Sequence, residues 1–104
     1  MSAPAELRIE AAAADTFALS GELVFGNAAA CLQRIRAALA AHAAPILDLA
    51  GVSRADSAGL AVLLALAAEG RAAGRSVRLR GVPAGLRALA HLGEVESLLG
   101  LEAG

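Results

Sequence analysis

The sequence predicts an α/β domain, a mixed four-stranded sheet in which an antiparallel hairpin is followed by parallel crossovers and packed by helices. Three observations predict it. Short apolar or alternating runs at Leu7 to Ile9, Thr16 to Leu19, Ile46 to Leu49 and Ser76 to Arg80 have the length and pattern of strands. Between and after them lie segments whose apolar residues recur at helical spacing. The order strand, strand, helix, strand, helix, strand, helix then calls for a hairpin first and right-handed crossovers afterwards.

Leu7-Arg8-Ile9 and Thr16-Phe17-Ala18-Leu19 form the expected hairpin, joined by Ala11 to Asp15. From Asn27, a capping residue type, Leu32, Ile35 and Leu39 share one helical face while Gln33, Arg34 and Arg36 take the other, until Pro45 ends the segment. Ile46 to Leu49 is too short for a helix and reads as the third strand, and Gly51 to Arg54 breaks it into a tight polar turn. Asp56 is the natural N-cap of a second helix, Ser57 to Ala73, with Gly74 as its stop. Its carboxylate accepts from the first turn's unbonded N–H groups and suits the positive end of the helix dipole. In the fourth strand, Ser76 to Arg80, Val77 and Leu79 point one way and Arg78 and Arg80 the other, which places helices over one face and leaves the other partly wet. Pro83 opens a third helix carrying Leu86, Leu89 and Ala90 on one stripe. Glu94 to Leu99 adds a helical turn or two, with Val95, Leu98 and Leu99 expected against the sheet edge.

The second helix has no charged or strongly polar residue between Ala58 and Ala68. Leu60, Leu63, Leu64 and Ala67 supply the single apolar stripe that a surface helix needs, which sends Ala61, Val62, Ala65 and Leu66 elsewhere. Two readings follow. Either the first and third helices flank it and bury both sides, or Ala61, Val62 and Ala65 extend an exposed apolar patch beside Ser57, a docking surface for a partner protein.

Composition excludes several classes of function. At 104 residues the chain, residues 1–104, is expected to be one domain. It is 58% hydrophobic, yet Ala58 to Ala68 falls far short of the ~20 residues a membrane-spanning helix needs. Met-Ser-Ala-Pro-Ala-Glu has neither the basic start nor the apolar core of a secretory signal, so a cytoplasmic location is expected, and a lone cysteine agrees with it. A net charge of −1 and only two aromatic residues argue against nucleic acid as a partner.

The residues from Asp48 to Leu64 carry a pattern, Asp-Leu-x-x-Val-x-x-x-Asp-Ser-x-Gly-Leu-x-x-Leu-Leu, that resembles the signature of STAS domains. This is the fold of anti-anti-sigma factors and of the MlaB proteins that accompany a bacterial phospholipid ABC transporter. Asp48, Val52, Asp56, Ser57, Gly59, Leu60, Leu63 and Leu64 all align without a gap. Leu19-Ser20-Gly21-Glu22-Leu23 is similar to the end of the family's second strand, and Val77 to Val82 to the strand and turn after its second helix. Within the family, Val52 to Ala61 is most similar to the MlaB branch. Regulatory members more often carry a bulky apolar residue before the aspartate, a second serine at Ala58, and Asp or Thr where this chain has Val24-Phe25.

The resemblance implies a non-enzymatic cytoplasmic adaptor, peripheral to the inner membrane, that binds and stabilises or regulates the ATPase subunit of a phospholipid-transporting ABC complex and so serves outer-membrane lipid asymmetry. Arg54, Asp56, Ser57, Ala58, Leu60 and Ala61 are the expected contact residues. The other reading it implies is an antagonist of an anti-sigma factor kinase, controlled by phosphorylation of Ser57; a phosphate there adds ~1.5–2 negative charges beside Asp56 and repels the partner.

The residues themselves assemble no catalytic apparatus. A serine nucleophile needs an imidazole or amine to take its proton, and His42 and His91 fall on other helices, where C-terminal dipole interactions explain them. Cys31 reads as a buried thiol on the first helix. Gly81 to Gly85 lacks the lysine of a phosphate-binding loop. Neither cofactor nor metal is expected. Arg71, Arg75, Arg78, Arg80 and Arg87 form a charge cluster that reads as a solvated face, or as a surface for an acidic partner.

Overall fold

The computed structural model describes residues 6–101. Its elements run β1 (Arg8–Ala13), β2 (Thr16–Leu23), α1 (Ala28–Leu39), β3 (Ile46–Ala55), α2 (Ser57–Ala72), β4 (Arg78–Arg80), α3 (Ala84–Leu92) and α4 (Glu96–Leu99). The sheet order is β1-β2-β3-β4. β1 and β2 pair antiparallel, while β3 and β4 join in parallel, as the hairpin-then-crossover reading requires.

Alternation along the strands sorts the two faces of the sheet. Phe17, Leu19, Leu23, Leu47 and Leu49 are buried and belong to one apolar core with Ile35 and Leu39 of α1, Leu60, Leu63 and Leu66 of α2, and Leu86 of α3. Each such leucine contributes about 1.5–3 kcal/mol by leaving water. Arg8, Glu10, Ala18, Ser20, Asp48, Arg78 and Arg80 share the opposite, more open face through the registers Arg8↔Ser20, Glu10↔Ala18 and Asp48↔Arg80.

β3 does not stop at Leu49, and Gly51 to Arg54 is not a turn. The strand continues to Ala55 because β2 is long enough to pair with it throughout, from Thr16↔Ile46 to Leu23↔Ala55, with a register shift beside Gly51. A Cβ on Gly51 would stand 2.9 Å from the Leu19 carbonyl oxygen and from the Ser20 Cβ, so glycine admits the close approach rather than breaking the strand. The hairpin also differs. β1 reaches Ala13, the connection shrinks to Ala14-Asp15, and Asp15 takes φ 58° to close it. Pairing with Phe17 and Thr16 overrides the weak strand preference of the three alanines.

Asn27 precedes α1 but does not cap it with its side chain. Its Oδ1 accepts from Val24 N–H at 3.0 Å and its Nδ2 donates to the Glu22 carbonyl at 2.8 Å, so the side chain braces the loop that leaves β2. α1 ends at Leu39, well before Pro45, and β4 begins two residues later than expected.

α2 follows the reading in which neighbours flank it. Leu60, Val62, Leu63 and Leu66 are all buried, since the helix packs on β3, α1, α3 and α4. Val62 is therefore no part of an exposed patch, and only Ala61 of the three residues proposed for it is open to solvent. α4 is one turn; Leu99 at its end and Leu101 two residues further on are buried, but Leu98 is 46% exposed rather than tucked in.

Candidate functional site

The junction between β3 and α2 is a single extended residue, Asp56. Its Oδ1 accepts from Ala58 N–H at 2.9 Å and Gly59 N–H at 3.2 Å, the N-cap expected of it. Its Oδ2 accepts from Phe25 N–H at 3.0 Å, a bond to the β2–α1 loop. That bond most of all, then the Gly59 and Ala58 N–H groups and the positive charge of Arg54, hold the carboxyl below the usual carboxylate range against the opposing effect of burial.

Gly59 fixes the helix from the other side. A Cβ there would lie 2.3 Å from the Leu23 carbonyl oxygen, so only glycine lets the first turn of α2 settle on the end of β2. The result is a helix start held by a cap, a loop and a backbone contact together.

Ser57, the first residue of α2, is exposed, and its side chain makes no hydrogen bond among the described residues. Ala61, one turn on, is also exposed; Ala58 is half-buried; Arg54 is exposed at the end of β3 beside a shallow cavity of about 280 Å³ bounded by Val52, Pro83 and Leu86. Leu60 is different. It is 9% exposed and packs in the core, because the spacing to Leu63 turns it inward, so it lies beneath the exposed Ser57 and Ala61 rather than beside them.

Phe25 was not among the residues expected at this site, yet it is 84% exposed and its backbone is bonded to Asp56. The sequence did hold a signal, an aromatic residue after Gly-Glu-Leu in a chain with only two. Its proximity to Asp56 is a tertiary fact that local pattern does not contain.

The remaining candidates are engaged elsewhere. His42 lies beyond the end of α1, pairs with Asp15 at 2.6 Å and meets the Phe17 ring edge-on at 4.9 Å. His91, in the last turn of α3, pairs with Glu96 at 2.7 Å. A specific acid, rather than the helix dipole alone, accounts for each. Cys31 is buried, and burial pushes its thiol up. The arginine cluster is divided: Arg71 donates to the Leu98 carbonyl, Arg75 to the Leu39 carbonyl, and Arg80 to Asp48 at 3.1 Å. Asp48 is held below the usual carboxylate range first by Ala50 N–H and then by Arg80. No group of three or more His, Cys, Asp or Glu among the described residues stands together as a metal site. No helix among them is long and apolar enough to cross a membrane.

Comparison with solved structures places this architecture among known ones. The anti-sigma factor antagonist SpoIIAA in its unphosphorylated form matches with a TM-score of 0.69 at 18% identity, over 89% of this chain and 84% of that one. An anti-sigma factor antagonist from Mycobacterium paratuberculosis matches with a TM-score of 0.66 at 23% identity, over 89% and 80%. SLC26A9 matches with a TM-score of 0.67 at 22% identity, over 79% of this chain, which spans only 16% of that protein. At these identities the likeness establishes the fold. No curated protein matches in sequence. The family description "Mlab, STAS domain", by contrast, matches residues 8–100, from the start of β1 to the residue after α4 and through the Asp56–Gly59 helix start. On that match, the chain belongs to the MlaB-type STAS domain family.

Proposed function

We propose that this chain is a non-enzymatic adaptor whose partner is the ATPase subunit of a phospholipid-transporting ABC complex, bound through Arg54, Asp56, Ser57, Ala58 and Ala61. On this reading it stabilises or regulates that ATPase from the cytoplasmic side of the inner membrane, in the service of outer-membrane lipid asymmetry. The observation that carries the proposal is the first turn of α2. It offers an uncommitted hydroxyl at Ser57 and a small apolar residue at Ala61, exposed next to the buried Gly59, Leu60, Val62 and Leu63, with Phe25 projecting from the loop bonded to its cap. An exposed aromatic side chain beside small residues is the composition of a contact anchor with room around it. Membership of the MlaB-type family supports the choice of partner.

A phosphorylation-controlled antagonist of an anti-sigma factor kinase is the second reading, favoured by the accessibility of the Ser57 hydroxyl. SpoIIAA, which shares the fold, is known in both phosphorylated and unphosphorylated forms. Affinity capture of the tagged protein from its own cells, with mass spectrometry of partners and of Ser57, separates the two. Recovery of an ABC ATPase with unmodified Ser57 is the expected result. Recovery of a kinase-like anti-sigma factor with phosphate on Ser57 overturns it.

A further inference from the structure

The two edges of the sheet are protected differently. β4, at one edge, reads Arg78-Leu79-Arg80. Two copies meeting there about a two-fold axis pair antiparallel, and an axis through Leu79 sets Arg78 against the partner's Arg80, like charge against like. The charges block that edge.

β1, at the other edge, reads Arg8-Ile9-Glu10. The same operation about Ile9 sets Arg8 against Glu10 of a second copy and Glu10 against its Arg8. Both residues are exposed, both lie on the open face of the sheet, and neither has an ion-pair partner among the described residues. On the covered face, half-buried Ile9 meets its own counterpart. We propose that β1 is a self-complementary edge through which two copies of this chain associate into a continuous eight-stranded sheet.

The same features bound the contact. Arg34 donates to the Leu7 carbonyl at 2.6 Å on one side, and the register shift between Ala11 and Ala13 bends the strand on the other. The ladder is therefore centred on Arg8 to Glu10, and so short an interface gives a weak dimer, with a Kd on the order of 10⁻⁴ M. Such a dimer carries two copies of the Asp56–Ser57 helix start.

Sedimentation equilibrium over a concentration series at low salt tests the proposal. The wild-type chain is expected to dimerise reversibly. Arg8→Glu and Glu10→Arg each place like charges opposite one another in a homodimer, and each is expected to weaken association about tenfold or more. An equimolar mixture of the two variants restores opposite charges at every position and is expected to form a heterodimer of at least wild-type affinity; the double variant R8E/E10R is expected to dimerise as the wild type does. A wild-type chain that stays monomeric throughout overturns the proposal. So does a dimer whose strength is indifferent to the single substitutions, or a mixture that fails to associate while both variants keep the native circular dichroism spectrum.

Discussion

Phe25 donates its backbone N–H to Asp56 Oδ2 at 3.0 Å, tying the loop that leaves β2 to the residue that starts α2, 31 positions later. One carboxylate thus caps a helix and anchors a loop bearing the most exposed large apolar side chain among the described residues. Asp56→Ala removes an acceptor from three N–H groups at once. It is expected to destabilise the fold by about 1–2 kcal/mol, as N-cap losses do. Asp56→Asn, which retains an acceptor oxygen, is expected to cost less. Urea unfolding measures both, and amide exchange at Phe25 should quicken in the alanine variant; an unchanged exchange rate there would mean that the loop is held by Asn27 alone.

The same carboxylate makes stability depend on pH. Its pKa in the folded state is lowered from an ordinary value of 3.8. The unfolded chain therefore takes up the proton first as pH falls. The contribution of Asp56 is complete above the ordinary value and is lost as pH drops from there through the lowered one. The stability difference between the wild type and Asp56→Asn should be constant from neutral pH to about 5 and shrink below about 4. A difference that grows on acidification contradicts the assigned direction.

Gly59 and Gly85 make a paired test, because both are helical glycines and only one is confined. Alanine normally favours a helix over glycine by about 1 kcal/mol. At Gly85, where a Cβ meets nothing within 4 Å, Gly85→Ala should stabilise the domain by about 0.5–1 kcal/mol. At Gly59 the Leu23 carbonyl occupies the space, so Gly59→Ala should destabilise it by about 1–3 kcal/mol, the usual range for overpacking. Thermal melts of the two variants are expected to move in opposite directions.

Ser57→Asp and Ala61→Arg alter only exposed positions of α2. On the proposed function, each is expected to lower affinity for the ATPase partner at least tenfold with the melting temperature little changed. Leu60→Arg, by contrast, buries an unpaired charge in the core and should unfold the domain, so loss of binding in that variant says nothing about the contact. Full binding by both Ser57→Asp and Ala61→Arg moves the interface elsewhere.

Local pattern carried the element order and the cap at Asp56, because strand alternation, helical spacing and capping chemistry are written in adjacent residues. It failed at Gly51. There the strand continues only because β2 lies alongside, and no local rule separates a glycine that breaks a strand from one that lets another backbone come close. It left Val62 open between burial and an exposed patch, because a single apolar stripe does not say how wide an arc neighbours on several sides will bury. Phe25 escaped because its place beside the helix start is decided by a hydrogen bond between distant segments.

The contact of Gly59 with Leu23 also bears on kinetics. A helix that settles on a carbonyl with no room for a methyl group has little freedom to slide or tilt about its first turn. On the proposed function, a partner docking on Ser57 would meet a surface whose ordering cost was met during folding, so differences in affinity among variants should be expressed in how long the complex lasts more than in how fast it forms.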